Sequence, residues 1–430
     1  VGAYQLNTGL DEYIDGVGWG MNPWSDGTFG TATNQSFTNQ LRLWTLDNFG
    51  EDMVSNPRGG GIYYWDQTNG VSTRAVNFTS LSNASDVPTV ASQIIVSEID
   101  RHIICLGANT IGTATQDPML VRWCNQEDAA DWTPKTTNTA GGLRLSAGSK
   151  IIGGIRTRQE IAIFTDNAIY SMQFIGPPFT FGINLISESV SMASPQACIN
   201  ANNAIYFMDK DNFYIYEGGI QTLPCTVRAY VFDDFNYGQV YKVFAMRNAQ
   251  FNEITWFYCS SSSDEIDRYV TFNYLDNNWS IGTMPRTAWM DIGSSVNVPL
   301  AAGSSGTTTN YLYNQETGSN DDESAMTAYV ESADFDAGDG NQFMFINRLI
   351  PDVYFYGTSG DPALTYSIKT RDYPLGTLTT ATTASVGTTT GVSYIRARAR
   401  QMRIRIESTD ADNLWRLGDT RFDIKADGRR

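Results

Sequence analysis

Histidine is almost missing from this sequence: His102 is the only one. That nearly excludes histidine-rich metal sites, and any Ser-His-Asp triad would have to use that one residue. It lies in the apolar run His102 to Leu106, and no serine stands in a G-x-S-x-G setting, so a structural role is expected for it. Cysteine is scarce and irregular. Cys105, Cys124, Cys198, Cys225 and Cys259 are an odd set without a C-x-x-C spacing, several of them inside apolar strand runs. Buried free thiols acting as small hydrophobes are expected, rather than disulfides or zinc ligands. Positive charge is also in short supply, 29 Lys and Arg against 46 Asp and Glu, a formal net charge of −17. Such a balance argues against a sequence-reading DNA binder, which needs a basic surface to neutralise phosphates, but not against a surface that DNA merely passes. No window approaches the roughly 18 consecutive apolar residues needed to span a bilayer, and no basic region followed by an apolar one opens the chain. A soluble protein without a visible export signal is expected. The sequence begins at Val1 with no initiator Met, which points to a processed or incomplete chain.

What the chain has instead is glycine (38 residues), aromatics (12%) and short β-branched runs, with no long helical periodicity, so the expected class is all-β. The stretch Asn252 to Asp291 reads as a complete unit. Glu253 to Tyr258 is one strand, Ser260 to Asp267 a polar turn, Arg268 to Tyr274 a returning strand, Asp276-Asn277-Asn278 a second turn, and Trp279 to Ile281 the start of a third strand. A meander of about 40 residues cannot bury both faces alone and implies stacked neighbours, the logic of a β-propeller blade. Similar hairpins recur from Leu41 onward. Their aromatic second strands are Ile62 to Asp66, Leu120 to Asn125, Ala168 to Gln173, Phe213 to Gly218, Val270 to Asp276 and Tyr311 to Glu316. Apolar runs precede them, among them Ile103 to Leu106, Glu160 to Phe164, Ala204 to Met208, Glu253 to Tyr258 and the weaker Val298 to Ala302. Six hairpins predict about six four-stranded blades over 41–320, with Trp65, Trp123, Tyr170, Tyr216 and Tyr274 between blades.

Residues 1–40 form a Gly/aromatic-rich segment of strand-and-turn character. Within it, Ser25 to Phe29 resembles an incomplete aspartate box and reads as a turn. An acidic segment, Asn314 to Ser324, marks a linker or exposed loop, and 321–430 reads as a separate antiparallel sandwich or platform. Its expected strands are Met326 to Asp336, Asn341 to Val353, Ala363 to Arg371, Tyr394 to Glu407 and Trp415 to Ile424, with the Thr-rich Gly376 to Thr390 as a connection. Asp334, Asp336 and Asp339 sit in a Gly-rich turn that lacks the bidentate glutamate of a calcium loop and reads as an ordinary acidic turn. In Tyr394 to Glu407 the arginine face flips: Arg396, Arg398 and Arg400 point one way, Arg403 and Arg405 the other. With period-two geometry, either a bulge sits near Arg400 or the strand passes from one environment into another. The arginines fit an internal or intersubunit ion-pairing surface or a solvated strand face; Arg398, Arg400 and Arg403 are expected to be structural, with Arg398, Arg400 or Arg403 paired to carboxylates inside the platform or across a subunit boundary.

The segments Leu43 to Gly61 with Ile62 to Asp66, Asp267 to Asp291, and Arg398 to Arg430 resemble parts of the tail nozzle or tail hub proteins of short-tailed phages (podoviruses), the tail tubular protein B-like components. The likeness runs in patches over most of the chain. It implies a propeller-bearing structural protein of the virion tail, assembled in the host cytoplasm. Such a subunit forms a homo-hexameric ring beneath the head-to-tail adaptor, extends the channel for DNA ejection, and carries or adjoins tail fibres or a needle. Members of that family have further sequence ahead of the segment matched by Leu43 to Gly61. No catalytic, cofactor-binding or metal-binding residues carry over, and no cofactor is implied. Double-stranded DNA is expected to pass without sequence-specific contact along an acidic or neutral lumen, with Asp209 to Asp211, Pro177 to Phe179 and Ser319 to Glu323 as candidate lumen loops. A carbohydrate-binding or carbohydrate-hydrolysing propeller, lectin-like or sialidase-like, is the alternative. An arginine cluster around a central pocket with a Tyr-Glu pair would favour it.

Overall fold

The computed structural model describes residues 43–293, 296–305, 309–321, 324–338, 340–356 and 361–429. The Gly/aromatic-rich segment 1–40 and its Ser25 to Phe29 run lie outside them. Two compact units divide between Gln315 and Glu316.

The first unit is a β-propeller built from successive antiparallel meanders. Blade one holds β1 (Trp44–Phe49), β2 (Asp52–Pro57), β3 (Tyr63–Trp65) and β4 (Val76–Asn77). Blade two holds β5 (Gln93–Ser97), β6 (His102–Leu106), β7 (Leu120–Trp123) and β8 (Gly141–Arg144). Blade three holds β9 (Ile151–Arg156), β10 (Ile161–Thr165), β11 (Ile169–Gly176) and β12 (Thr180–Ser187). Blade four holds β13 (Cys198–Ala201), β14 (Ala204–Met208), β15 (Phe213–Tyr216) and β16 (Ile220–Thr222). A short helix α1 (Arg228–Phe232) leads to blade five, with β17 (Phe244–Asn248), β18 (Glu253–Tyr258), β19 (Arg268–Asn273) and β20 (Asn278–Thr283). Blade six holds three strands among the described residues, β21 (Arg286–Met290), β22 (Leu300–Ser305) and β23 (Thr309–Asn314).

The six aromatic runs of the sequence are the third strands of the six blades, and the apolar runs before them are the second strands. The unit read from Asn252 to Asp291 is displaced by one strand: it starts at the second strand of blade five and ends on the first strand of blade six. Its true first strand, Phe244–Asn248, alternates buried and half-buried residues (FAMRN). The pattern is too polar to stand out beside EITWFY, which is buried from Ile254 to Tyr258 because neighbouring blades cover both faces.

First strands of neighbouring blades lie side by side around the ring, β1 by β5, β5 by β9, β9 by β13, β13 by β17 and β17 by β21. Hydrogen bonds stitch these seams. Gln93 donates to Gly154 O and accepts from Gly154 N, both at 2.8 Å, and Trp256 Nε1 donates to Ala197 O at 3.0 Å. The close approach needs a glycine, because a Cβ at Gly154 would lie 2.8 Å from Leu106 Cδ1 and 3.0 Å from Ile95 Cδ1. Of the aromatics expected between blades, Trp123, Tyr170 and Tyr216 are buried, with Trp123 edge-on to Phe181 of blade three at 5.2 Å. Tyr274 is half-buried against Tyr206 of blade four. Trp65 departs from the expectation: it is half-buried, and its indole N–H is taken up within its own blade, donating to Thr73 O at 3.0 Å.

The second unit is an antiparallel sandwich. One sheet contains β24 (Ala328–Glu331), β25 (Phe335–Asp336), β28 (Ala363–Arg371), β29 (Thr379–Gly387) and β31 (Gln401–Ser408). The other contains β26 (Met344–Ile350), β30 (Ser393–Ala399) and β33 (Arg421–Ala426), while β27 (Val353–Phe355) pairs with β32 (Trp415–Leu417). Met344, Ile346 and Leu349 meet Leu364, Tyr366, Ile368, Met402 and Ile406 in the core. Two expectations are corrected. The Thr-rich Gly376 to Thr390 stretch is mostly strand β29, whose β-branched threonines suit a pleat with one face in water. Tyr394 to Glu407 is two strands, because the chain leaves one sheet at Ala399 and enters the other at Gln401, which is why the arginine face flips there.

Candidate functional site

All six first strands contribute to one central cavity of about 440 Å³, through Trp44 and Asp47, Ile94, Arg156, Cys198, Phe244 and Trp289. Its two arginines are already engaged. Arg156 donates to Glu98 at 2.7 Å, to Asp47 at 3.3 Å and to Val96 O at 2.5 Å, and Asp47 also accepts from Val96 N at 2.8 Å. Arg58 reaches Ile151 O at 3.3 Å. Arg156 of β9 therefore ties to the first strands β1 and β5, and Arg58, just past β2, ties blade one to β9.

A Tyr-Glu pair does exist, away from that cavity. Tyr216, at the end of β15, donates to Glu160 Oε1 at 2.6 Å beside a pocket of about 300 Å³ lined by Gln173, Asn203 and Glu217. Burial raises the Tyr216 pKa, and the hydrogen bond to Glu160 raises it further. Burial pushes Glu160 up, but the hydrogen bonds from Ser171, Tyr216 and Gln173 outweigh it and hold the carboxyl below its usual range. The phenol keeps its proton and the carboxylate is satisfied, the arrangement of a staple between blades three and four and the opposite of an activated nucleophile. Sequence reading placed Tyr216 correctly and missed its partner, since Glu160 opens an apolar run with nothing to distinguish it.

His102 is fully buried. Nδ1 donates to Asp100 at 2.8 Å, Nε2 lies 2.9 Å from the Thr139 hydroxyl, and Phe181 stands edge-on at 5.2 Å. All five cysteines are free, and Cys105, Cys124, Cys198 and Cys259 are buried. Burial pushes the Cys124 thiol up to about 12, so it is a packing group. Among the described residues no group of three or more His, Cys, Asp or Glu could hold a metal ion, and no helix is long and apolar enough to cross a membrane.

The densest charge chemistry lies on the outer face of the sandwich sheet that contains β31. Glu331 accepts from Lys369 at 2.8 Å, Arg403 at 3.0 Å and Arg405 at 3.2 Å. Asp334 accepts from Arg403 at 3.0 Å and from Arg371, and Glu407 from Arg405 at 2.8 Å. Burial pushes Glu331 up, but its three cationic partners win and hold the carboxyl at about 2. Arg403 and Asp334 of the acidic turn thus pair within the unit, Asp336 lies 3.4 Å from Gln401 Nε2, and Asp339 lies outside the described residues. Arg398 pairs with Asp427 at 2.5 Å. Arg400 makes no ion pair among the described residues: it donates to the carbonyls of Gly340 (3.3 Å) and Arg429 (3.1 Å) and stacks on Phe343, so of the three it is Arg398 and Arg403 that pair with carboxylates.

Of the candidate lumen loops, Asp209 to Asp211 is the β14–β15 turn, where burial raises the Asp209 pKa. Pro177 to Phe179 is the apolar tip of the β11–β12 hairpin, with Phe179 72% exposed. Ser319 to Glu323 is described only as far as Asp321.

No known family matches the chain, and no curated protein does. Among solved structures, Kluyveromyces lactis Hsv2p is 10% identical over 64% of this chain and 74% of that one, with a TM-score of 0.35. The N-terminal domain of Nup159 gives 12% identity over 64% and 75%, TM-score 0.34. The WD40 domain of SCAP from fission yeast gives 8% over 86% and 95%, TM-score 0.28. Likenesses this distant say nothing about function, and the propeller rests on its own strand order and its ring of first strands.

Proposed function

We propose that this protein is a structural, non-enzymatic component of a podovirus tail, a nozzle or hub subunit. Its hexameric ring would extend the DNA-ejection channel below the head-to-tail adaptor and support fibres or a needle. The observation that carries the reading is the presence in one chain of a six-bladed propeller and a separate sandwich, with the three segments that resemble nozzle proteins at structural positions. They form the first strands of blade one, the outer half of blade five with the start of blade six, and the C-terminal strands of the sandwich.

The central cavity, at about 440 Å³, has the size of a small-molecule pocket and is far too small for a duplex, so a conduit has to lie between copies. Residues 1–315 carry 29 acidic and 16 basic side chains, residues 316–430 carry 17 and 13. A lumen walled by the acidic unit repels phosphate weakly at the Debye length of about 8 Å and keeps a duplex centred without gripping it. The carbohydrate-hydrolysing, sialidase-like form of the alternative would need the Tyr216–Glu160 pair to act, and a phenol held protonated by its carboxylate partner does not favour that. Light scattering of the purified protein at low salt, with and without duplex DNA, tests the proposal. It predicts a multimer whose mass duplex does not change, and a chain that stays monomeric or binds duplex tightly contradicts it.

A further inference from the structure

Two sheet faces of the sandwich treat charge in opposite ways. On the face built around β31, Lys369, Arg371, Arg403 and Arg405 are matched by Glu331, Asp334 and Glu407. On the outer face of β30-β26-β33 they are not. There the register sets Tyr394 and Asp423 on either side of Arg348, Arg398 and Lys425 on either side of Phe345, and Arg421 beside Ile350. The alternate residues Ile395, Ala397, Ala399, Met344, Ile346 and Leu349 fill the core, so these point outward. Arg348 pairs with Asp423 at 3.4 Å and Arg398 with Asp427. Arg396, Arg421 and Lys425 are exposed and make no ion pair among the described residues, beside Tyr394, which is 82% exposed. In a chain of charge −17, three unmatched cations around an exposed tyrosine form a surface short of its counterpart.

The propeller carries a surface of the complementary kind. Where α1 meets the β18–β19 turn, Asp233, Asp264 and Glu265 are exposed beside Tyr230 (42% exposed) and Tyr237 (52%). The corner is fixed by Ser261 Oγ donating to Asp234 at 2.7 Å and by Lys242, which reaches Asp264 O at 2.6 Å and Glu265 at 3.1 Å. Five carboxylates there (Asp233, Asp234, Asp264, Glu265, Asp267) face two cations, Lys242 and Arg268.

We infer that the cationic outer face of β30-β26-β33 docks on the acidic, tyrosine-bearing corner of the propeller of a second copy of this chain. Because the two surfaces differ, the contact is heterologous and propagates head to tail, the geometry that closes a ring. Opposite charges would steer the encounter and fix the register, and the tyrosines would supply contact area and sites for guanidinium stacking. The inference rests on the ring-forming reading above and adds the surfaces that make the ring. A duplex would offer the face charges of the right sign but no counterpart for Tyr394 and Ile350, which favours a protein partner.

Two charge-reversed proteins test it. One carries Arg396→Glu, Arg421→Glu and Lys425→Glu, the other Asp233→Lys and Asp264→Lys. All five positions are exposed, so circular dichroism and the Tm should stay native. Each variant alone is expected to be monomeric by mass photometry where the native protein assembles. Mixed in equal amounts they should assemble again, because each reversed surface meets a complementary one and the two kinds of subunit alternate around an even-numbered ring. If the arginine variant assembles as well as the native protein, or the mixture stays monomeric, the inference is wrong while the ring-forming reading stands. If the native protein never assembles, both fall. If the native face retains duplex DNA and the arginine variant loses it with its ring intact, the partner is nucleic acid and the inference is overturned.

Discussion

Replacing Glu331 with glutamine should loosen the sandwich and leave the propeller as it was. The carboxylate is the common acceptor of Lys369, Arg403 and Arg405, and its side chain is only 16% exposed. Its carboxyl is held at about 2 against an ordinary 4.5, which sets a ceiling of about 3 kcal/mol. Water at the rim and the partners that survive lower this, since Arg403 keeps Asp334 and Arg405 keeps Glu407. A loss of about 1 to 2 kcal/mol is expected at neutral pH. The folded pKa lies below the unfolded one, so this stability is fully present above about pH 5 and is lost as pH falls toward 2. A chain of two compact units need not unfold in one two-state step, so a single melting curve would blur the effect. Hydrogen exchange read by mass spectrometry resolves it. Segments covering β28 and β31 should exchange about 5- to 30-fold faster in Glu331→Gln at pH 7, with blade segments unchanged. The gap between native and variant, corrected for intrinsic rates, should shrink between pH 5 and pH 3. Equal protection of the two proteins at pH 7, or a gap that does not change with pH, would refute the reasoning.

Three further outcomes follow from the propeller. Gly154→Ala forces a methyl to within 2.8 Å of Leu106 and should lower the stability of the propeller by about 1 to 3 kcal/mol in urea unfolding, with the sandwich unaffected. Tyr216→Phe removes one of three hydrogen bonds to Glu160 and should lower stability by about 1 kcal/mol; if Tyr216 held a catalytic role, a sugar-cleaving activity would vanish with it. A thiol reagent at pH 8 should modify Cys225 first, because Cys105, Cys124, Cys198 and Cys259 are buried, and rapid labelling of all five in the native state would contradict the packing described.

The aromatic runs Ile62 to Asp66 through Tyr311 to Glu316 were legible because large side chains recur at a regular spacing; Val121 to Trp123, Ile169 to Met172 and Val270 to Phe272 are buried, whereas Tyr63 to Trp65 are half-buried and Tyr311 and Leu312 exposed. First and fourth strands left weaker marks. First strands such as FAMRN face the central cavity along part of their length, and fourth strands such as Val76–Asn77 or Ile220–Thr222 are too short to show a period. The crossover at Arg400 was readable as a change of environment because period-two alternation inverts there, but which carboxylates each arginine meets depends on pairings between residues about 70 positions apart, such as Arg403 with Glu331. Likewise Glu160 finds Tyr216 across 56 positions, a distance over which neither composition nor spacing carries information.

The central claim is that copies of this chain close into a ring around a channel that the single propeller does not have. Electron-microscopy class averages of the purified assembly, viewed down its axis, test it most directly. The account predicts a closed ring of six subunits with an open lumen wide enough for a duplex and a lumen wall without a net positive charge. A monomer, an open filament, or a ring whose lumen is lined mainly by arginine would contradict it.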